Sequence, residues 1–299
     1  MKKVLRTPDE RFLDLPDFRF NPVYIDGLKG FEGLRMHYVA DGPQNAENTF
    51  LCLHGEPTWS YLYRKMIPIF AEAGRRVVAP DFFGFGRSDK PVAEKEYTFE
   101  FHRDSLIAFI DYLDLKNITL VCQDWGGLLG LTLPMIMPER FSRLLIMNTT
   151  LGTGDVQLSQ GFLGWRSWVR KNPDLSAARL LKLTCPHLSE RECAVYDAPF
   201  PDISYKAGVR RFPELVPDRP DAPGAELSRK AREWLRNKWT GPVFMAVGMK
   251  DPVLGPPGMQ VLRSDIRNCP EPYEHYEAGH FDQEWGEEVA TKALMIFEQ

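Results

Sequence analysis

Asp124 carries the strongest chemical signal in the sequence because it stands in a tight turn between an apolar strand pattern and a helical pattern. The turn reads VCQDWGG over residues 121–127. Strand, tight turn and helix are the context of a nucleophile elbow, whose usual form is G-x-S-x-G. Small Cys122 lies two residues before the central position and Gly126 two residues after it, but the centre is aspartate instead of serine.

This replacement changes the chemistry that the turn can perform. A serine attacking a saturated carbon would form an ether, which water does not readily cleave. An aspartate carboxylate attacking the same carbon forms an ester, and water can attack its carbonyl and restore the carboxylate. The sequence therefore predicts displacement at a saturated carbon followed by hydrolysis.

A second motif, HGEP at residues 54–57, directly follows the apolar run 50–53. A turn at this place can point a backbone N–H at the nucleophile, and the residue after the nucleophile supplies another N–H. We expect the backbone N–H groups of Glu56 and Trp125 to form an oxyanion hole.

The base that activates water is expected to be His280. It lies in EAGHF, residues 277–281, just past the last strand candidate, 273–277, and α/β sites assemble at the carboxyl ends of strands. His275 falls inside that strand and is the weaker candidate. His54 belongs to the oxyanion turn, and His37 and His102 stand in no motif.

Asp251 is the expected partner of that histidine because it follows the apolar run 243–247. The order along the chain is then nucleophile, acid and base, as in enzymes with a nucleophile elbow on an α/β sheet. A competing place for the acid follows the run 144–147, but it is occupied by Asn148, which carries no charge.

The elements that must position these residues alternate along the chain. Short apolar runs typical of buried parallel strands occupy residues 50–53, 76–79, 118–122, 144–147 and 243–247, with a final candidate at 273–277. Helical patterns lie at 60–73, 99–113, 128–137 and 284–297. The alternation predicts an α/β fold with a parallel sheet.

Between about Gly152 and Pro223 the alternation stops. This stretch has helical patterns, at 176–183 and 189–196 among others, and no clear strand. We predict a helical cap domain at 153–223, inserted into a core domain formed by residues 1–152 and 224–299.

Composition excludes several classes of protein. The 299 residues include 37 Lys and Arg against 41 Asp and Glu, a net charge of -4, so charge does not favour binding to nucleic acid or an anionic membrane. Basic residues near the start have no apolar run behind them, and the longest apolar stretch is well below the ~20 residues that span a bilayer. The cysteines contain no C-x-x-C pair, so we expect neither a zinc site nor a disulfide framework, and we expect a cytoplasmic protein; they are Cys52, Cys122, Cys185, Cys193 and Cys269.

These motifs together resemble a known family. The DWGG turn, the segment HGEPTWSYLYR from His54, the segment DFFGFGRSD from Asp81, and Asp251 and His280 are similar to the haloalkane dehalogenases of the α/β-hydrolase superfamily. The resemblance covers nearly the whole chain and is weakest between about residues 152 and 191. It is closest to the subfamily whose acid follows the later strand and whose second halide donor is a tryptophan of the cap.

The resemblance implies a role for each site residue. Asp124 would attack the carbon that bears the halogen, and His280, paired with Asp251, would activate water against the resulting ester. Trp125 and a cap tryptophan would donate indole N–H groups to the departing halide, without a cation that would also pair with the nucleophile. The cap offers Trp165 and Trp168, of which Trp165 lies at the matching place.

The resemblance also implies what binds in the site. Partners would be a small halogenated alkane, water and a halide ion, with no cofactor and no metal. Phe162 from the cap, and Leu128 and Leu254 from the core, are expected to line the substrate pocket. In a related subfamily an asparagine in place of Glu56 binds halide, so the glutamate here favours the pair of tryptophans.

Three alternatives to this activity differ in the residues that they need. An epoxide hydrolase uses the same aspartate and histidine but needs cap tyrosines to protonate the epoxide oxygen, for which Tyr196 and Tyr205 are available. A fluoroacetate dehalogenase would need arginines after the nucleophile, and Leu128 follows the turn instead. A non-catalytic binding protein on this fold typically loses a member of the triad, whereas all three positions are filled here.

Overall fold

A central sheet of eight strands forms the frame of the protein. The computed structural model describes residues 3–298. The strands are β1 (Val4–Leu5), β2 (Val23–Asp26), β3 (Arg35–Asp41), β4 (Thr49–Leu53), β5 (Arg76–Pro80), β6 (Lys90–Pro91), β7 (Ile118–Cys122), β8 (Phe141–Met147), β9 (Val243–Gly248) and β10 (Tyr273–His275). All six strands predicted from the sequence are confirmed within a few residues.

The order across this sheet is β10-β9-β8-β7-β4-β5-β3-β2. The strands from β10 to β5 pair in parallel, whereas β3 pairs antiparallel with both β5 and β2. The sequence did not indicate β2 and β3, because these strands carry charged and polar residues near one edge of the sheet, and β2 has one fully buried residue, Ile25. Separately, β1 and β6 form a two-stranded antiparallel sheet.

Helices cover both faces of the sheet and fill the stretch between β8 and β9. They are α1 (Ile67–Glu72), α2 (Phe99–Tyr112), α3 (Trp125–Gly130), α4 (Gln160–Lys171), α5 (Ala177–Thr184), α6 (Glu190–Val195), α7 (Ala207–Leu215), α8 (Ala225–Lys238), α9 (Pro256–Ser264) and α10 (Gly286–Phe297). Within residues 3–298 no helix has the length and apolar character needed to cross a bilayer.

Two helix predictions need correction. The pattern at 60–73 is a 3-10 turn, Ser60–Tyr63, followed by the separate helix α1, which starts with Pro68 in its first turn. Proline lacks an N–H and suits the start of a helix better than its middle, which explains the division. The pattern at 128–137 is also wrong in its bounds, since α3 begins at Trp125 and ends at Gly130, and turns follow as far as Pro134 and beyond.

The stretch from 153 to 223 is helical, as predicted, and the described chain has no strand there. It contains α4 to α7 and a 3-10 turn at Ile203–Lys206. Helix α8 begins directly after Gly224, whose φ of 83° lies in the left-handed region that glycine adopts easily. The boundaries of a separate cap domain at 153 and 223 stay a prediction.

A buried ionic cluster links this helical stretch to the rest of the chain. The guanidinium of Arg64 donates to both carboxylate oxygens of Glu284, at 2.7 and 2.8 Å, and to Glu192 of α6 at 3.1 Å. The hydroxyl of Tyr196 also donates to Glu284. Arg64, Glu284 and Tyr196 are almost completely buried. Because a buried charge is costly without its partner, this cluster holds α6 in one position against the sheet.

Candidate active site

The candidate site forms where parallel strands end side by side. Because β4, β7, β8, β9 and β10 are neighbours in the sheet, the loops that follow them meet at one edge. Glu56 follows β4, Asp124 follows β7, Asp251 follows β9 and His280 follows β10. The structure therefore brings together the four core residues that the motifs singled out.

Asp124 occupies a strained turn, as the elbow motif predicts. Its φ is 49° and its ψ is -124°, which a non-glycine residue rarely adopts. The backbone N–H of Asp124 donates to the carbonyl of Asn148 at 3.0 Å, and the hydroxyl of Thr149 donates to the carbonyl of Asp124 at 2.7 Å. A Cβ at Gly126 would collide with the backbone carbonyl of Leu53. The small residue two positions after the nucleophile thus allows α3 to approach β4 closely.

The two oxygens of the Asp124 carboxylate have different surroundings. Oδ1 accepts the backbone N–H of Glu56 at 2.8 Å. Oδ2 lies 3.6 Å from Nε2 of His280, which is too long for a hydrogen bond. Burial raises the pKa of Asp124, and the charge of His280 and the backbone N–H groups of Glu56 and Trp125 oppose that rise. Oδ1 is therefore held where the oxyanion hole was predicted, and Oδ2 has no hydrogen bond to His280 and can act as a nucleophile.

His280 and Asp251, which the sequence predicted as base and acid, are in contact. Nδ1 of His280 lies 2.8 Å from Oδ2 of Asp251, whose side chain is fully buried. Burial opposes the charged form of His280, but the carboxylates of Asp251 and Asp124 outweigh it and raise the pKa to about 9. Burial likewise favours a neutral Asp251, but His280 and the backbone N–H groups of Val253 and Leu254 outweigh it and lower that pKa. The two carboxylates therefore favour the charged form of the histidine.

Two amide side chains that the motifs did not assign also belong to this arrangement. Asn148, at the end of β8, donates from Nδ2 to Asp251 Oδ2 at 2.9 Å, and its Oδ1 accepts the N–H of Gly248 at 2.8 Å. Gln123 contacts His280 from the position before the nucleophile. The available signal was place alone: both residues follow parallel strands at the edge where the site assembles.

The side chain of Glu56 was missed as well, since the motif indicated a role for its backbone alone. Burial, and next to it the charge of Asp124, raise the pKa of the Glu56 carboxyl well above its usual range, against a hydrogen bond from Trp165. Oε1 has no hydrogen-bond partner among residues 3–298. Burial and the charge of Asp124 therefore both favour the neutral form of the Glu56 carboxyl.

A mostly apolar cavity of about 310 Å³ opens over Asp124 and His280. Its volume is at the lower end of the range for small-molecule sites. The lining residues come from the elbow, from α4 and α5 and from the loops after β9 and β10, and they include Glu56, Trp125, Phe162, Trp165, Trp168, Leu180, Thr184 and Phe281. Phe162 thus lies where it was predicted.

Leu128 and Leu254 lie in a different place from Trp165. They line an adjoining cavity of about 130 Å³, which Asp124, Trp125 and Phe162 also border. Both leucines are near the nucleophile, as expected, but they border this smaller space and not the larger cavity.

The two candidate tryptophans of α4 are stacked on each other, with ring centroids 5.4 Å apart and an angle of 23° between the planes. Trp165 is half-buried and bonds Glu56, whereas Trp168 is 44% exposed. Trp165 is therefore the inner member of the pair, as the matching position in the sequence suggested.

The remaining histidines have local partners or lie in the core. His54 accepts the N–H of Phe82 at 2.9 Å, and burial lowers its pKa to about 4. His275 lies 2.6 Å from Asp282, and His37 lies 2.7 Å from Asp81. His102 is enclosed by aromatic rings, Tyr97 and Phe212 among them. None of these rings lines the cavity over Asp124.

The sequence is similar to a known family model and to characterised relatives. The chain matches the family model described as the alpha/beta hydrolase fold over residues 48–287, and it is an α/β hydrolase. It is 45% identical to a haloalkane dehalogenase of Psychrobacter cryohalolentis over 99% of this chain and 98% of that protein. It is 42% identical to one of Mycolicibacterium paratuberculosis over 97% of each.

A solved structure agrees with these relatives. The tetrameric haloalkane dehalogenase of Paraglaciecola agarilytica is 53% identical to this chain, covers 98% of each chain and superposes with a TM-score of 0.96. The chain therefore belongs to the haloalkane dehalogenases, hydrolases that act on carbon–halide bonds. The resemblance seen in the sequence is confirmed, and the epoxide hydrolase alternative is not favoured.

Proposed function

We propose that the protein hydrolyses a small haloalkane through an alkyl ester on Asp124. This proposal rests on the different surroundings of the two carboxylate oxygens of Asp124. Oδ1 accepts the N–H of Glu56, while Oδ2 has no hydrogen bond to His280. An aspartate presented in this way to an apolar cavity is suited to attack saturated carbon.

In the first step Oδ2 of Asp124 attacks the carbon that bears the halogen. The new C–O bond forms as the carbon–halogen bond breaks, and the bonding electrons leave with the halide. The indole N–H groups of Trp125 and Trp165 stabilise that charge, which develops in a mostly apolar space. The raised pKa of Glu56 supports this step, because it favours the neutral acid over a carboxylate that would repel the halide.

In the second step water cleaves the ester. Esterification removes the charge of Asp124, one of the two carboxylates that raise the pKa of His280. The imidazole then loses its proton more readily, and Nε2 takes a proton from water as the water oxygen attacks Cγ of Asp124. The negative charge gathers on Oδ1 in the hole formed by Glu56 and Trp125. As the bond from Cγ to the alkyl-bearing oxygen breaks, His280 gives the proton to that oxygen, the alcohol leaves, and the carboxylate returns with one oxygen from water. The sum is haloalkane plus water giving alcohol, halide and a proton.

The surroundings of the site fit a small uncharged substrate. Apart from Glu56, Asp124 and His280, the residues that line the larger cavity carry no ionisable group. We place this activity in the cytoplasm and expect no nucleic-acid partner, on the support of five free thiols and a net charge of -4. That the reaction needs no cofactor or metal stays a prediction.

The direct test is halide release by the purified protein. With 1,2-dibromoethane and a panel of chloro-, bromo- and iodoalkanes, we expect one halide and one proton per substrate consumed. Styrene oxide is the matched substrate for the rival activity. Turnover of the epoxide without halide release from any haloalkane would contradict the proposal, and turnover of neither would favour a binding protein.

A further inference from the structure

Gln123 is a buried amide that the two proposed steps do not use. It stands at the carboxyl end of β7, between Cys122 and the nucleophile, and its side chain is fully buried. The cost of burying an amide is offset when its hydrogen bonds are made to defined partners. The partners of Gln123 are therefore informative.

Both contacts of the Gln123 amide are with His280. Its Nε2 lies 3.0 Å from the backbone carbonyl of His280 and 2.9 Å from Nε2 of the imidazole. The carbonyl can only accept, so the atom of Gln123 that faces it must be the NH₂ group. The same NH₂ group has a second hydrogen, which it can donate to the imidazole Nε2 when that nitrogen carries no proton.

The imidazole is thus held on two sides. Asp251 binds Nδ1 at 2.8 Å, and Gln123 contacts Nε2, the atom that must take the proton from water. The bond to the backbone carbonyl also fixes the main chain that carries the ring. Because the nucleophile is the next residue after Gln123, one short segment places both the ester carbon and the base.

We propose that Gln123 is a positioning residue for His280, whose amide keeps the imidazole Nε2 facing the Asp124 ester as a proton acceptor during hydrolysis. This inference rests on the proposed function. During the step, water replaces the amide at Nε2, while the bond from Gln123 to the His280 carbonyl remains and preserves the position of the ring.

The contact also acts on the protonation of the base. Asp251 and Asp124 face His280 and favour its charged form, and Glu56, beyond Asp124, has its pKa raised well above its usual range. A donor directed at Nε2 favours the neutral form instead. Once the ester has removed the charge of Asp124, Gln123 opposes the remaining carboxylate, Asp251, and supports the neutral base.

Displacement of halide does not require the base, so Gln123 should affect the second step alone. Gln123→Met keeps the length of the side chain and removes the donor. Mixed rapidly with 1,2-dibromoethane, this variant should release the first bromide within about twofold of the wild-type rate. Hydrolysis of the ester should be about tenfold slower or more, a part of the 10²–10⁴ that a general base supplies, so that the adduct on Asp124 accumulates.

The pH profile separates positioning from a general loss of structure. Without the donor the pKa of His280 in the alkyl-enzyme rises, so the acid limb of ester hydrolysis should move up by about one pH unit. Gln123→Glu should move that limb further, because a carboxylate favours the imidazolium. The glutamate variant also maintains the test if the methionine variant does not fold.

Gln283→Met is the matched control, since Gln283 is equally buried but has no bond to His280. It should keep wild-type hydrolysis and the wild-type acid limb. Wild-type protein without halide release would refute the proposed function itself. With active wild-type protein, and with His280→Gln stopping after one turnover, folded Gln123→Met that hydrolyses the ester at the wild-type rate and pH profile would overturn this inference alone.

Discussion

The two sides of the substrate cavity are built in different ways. On the sheet side, Asp124, Asp251 and His280 follow parallel strands and are fixed by hydrogen bonds of 2.7 to 2.9 Å to backbone groups or buried side chains. On the helical side, Phe162 and Trp165 lie on α4 and are half-buried. A bond from the Ser159 hydroxyl to the carbonyl of Val253, at 2.9 Å, links the start of α4 to the loop after Asp251.

The two sides therefore suit two tasks, the chemical steps and the binding of substrate and halide. The groups proposed to make and break bonds lie on the rigid sheet edge, where small displacements would cost rate. Trp125, one of the two proposed halide donors, lies beside them, whereas the other, Trp165, and Phe162 lie on a helix whose apolar contacts tolerate exchange of side chains. Variants on the sheet side should therefore have much larger effects than variants on the helical side.

The largest effect is expected for Asp124→Asn. An amide is a poor nucleophile at saturated carbon, so halide release should fall by about 10⁴-fold or more. Freshly purified protein is needed, because slow deamidation of the asparagine would restore the aspartate. Asp114→Asn is the control: Asp114 also has a positive φ, 45°, but its side chain is exposed and does not line the cavity over Asp124. Wild-type halide release by fresh Asp124→Asn would show that another residue is the nucleophile.

Asp251→Asn should come next in size. The change removes the charge that favours the imidazolium and disturbs the orientation of the His280 ring, so ester hydrolysis should fall by about 10³-fold, while the first halide is still released. Stopped-flow halide detection and mass analysis of the ester separate the two steps. Asp265→Asn removes an equally buried carboxylate that bonds Arg236, and it should leave the hydrolysis rate unchanged.

The same variant should change how stability depends on pH. His280 has its pKa raised to about 9, so the stability that its charge contributes is complete below about pH 6.5, its ordinary pKa, and is lost as the pH rises through 9. In Asp251→Asn this contribution shrinks. The free energy of unfolding of wild type and variant, measured in urea, should differ more at pH 6 than at pH 10. A difference that is as large at pH 10 as at pH 6 would mean that His280 is not held charged by Asp251.

On the helical side, Trp165→Phe should keep the fold and weaken halide binding. The ring stays and the N–H is lost. One such donor is worth about 10²–10³-fold in a well-organised site, and for a half-buried residue we expect about tenfold to a hundredfold. Trp168→Phe, on the exposed face of the stack, should change the halide affinity little. Equal losses in both variants, measured by fluorescence quenching, would remove the distinction between the two rings.

The smallest effect on activity is expected for Glu284→Gln, which weakens the cluster that links α6 to the sheet. The loss of a fully buried partner of Arg64 should cost about 3–5 kcal/mol of stability. The rate per folded molecule should stay close to wild type, since Glu284 does not line the cavity. Glu298→Gln, in an exposed pair with Arg75, should unfold at the wild-type urea concentration. A large loss of rate in folded Glu284→Gln would show that the link also controls the site.

The sequence allowed prediction of the sheet side better than the helical side, for a physical reason. Parallel strands are buried on both faces, so runs such as 118–122 and 243–247 stand out, and the residues after them meet at one edge. Asp124, Asp251 and His280 follow from that rule together with chain order. The sequence did not predict antiparallel β3, because its charged and polar residues interrupt the apolar run that marks a buried strand.

The side-chain contacts within the site could not be predicted in the same way. Gln123 and Asn148 stand at strand ends, yet an amide carries no chemical signal until its partner is known. The raised pKa of Glu56 depends on burial beside Asp124, which the motif does not encode. For Trp165 the resemblance gave the position, and its burial and its bond to Glu56 distinguish it from Trp168.

The proposed mechanism depends on an alkyl ester on Asp124, and the His280→Gln variant shows directly whether that ester forms. Displacement does not need the base but hydrolysis does, so this variant should release one bromide per active site from 1,2-dibromoethane and then stop. Peptide mass mapping should find the alkyl group on the peptide that contains Asp124. Multiple turnover by the variant would show that His280 is not the base, and folded protein with neither a burst of halide nor an adduct would contradict the ester mechanism.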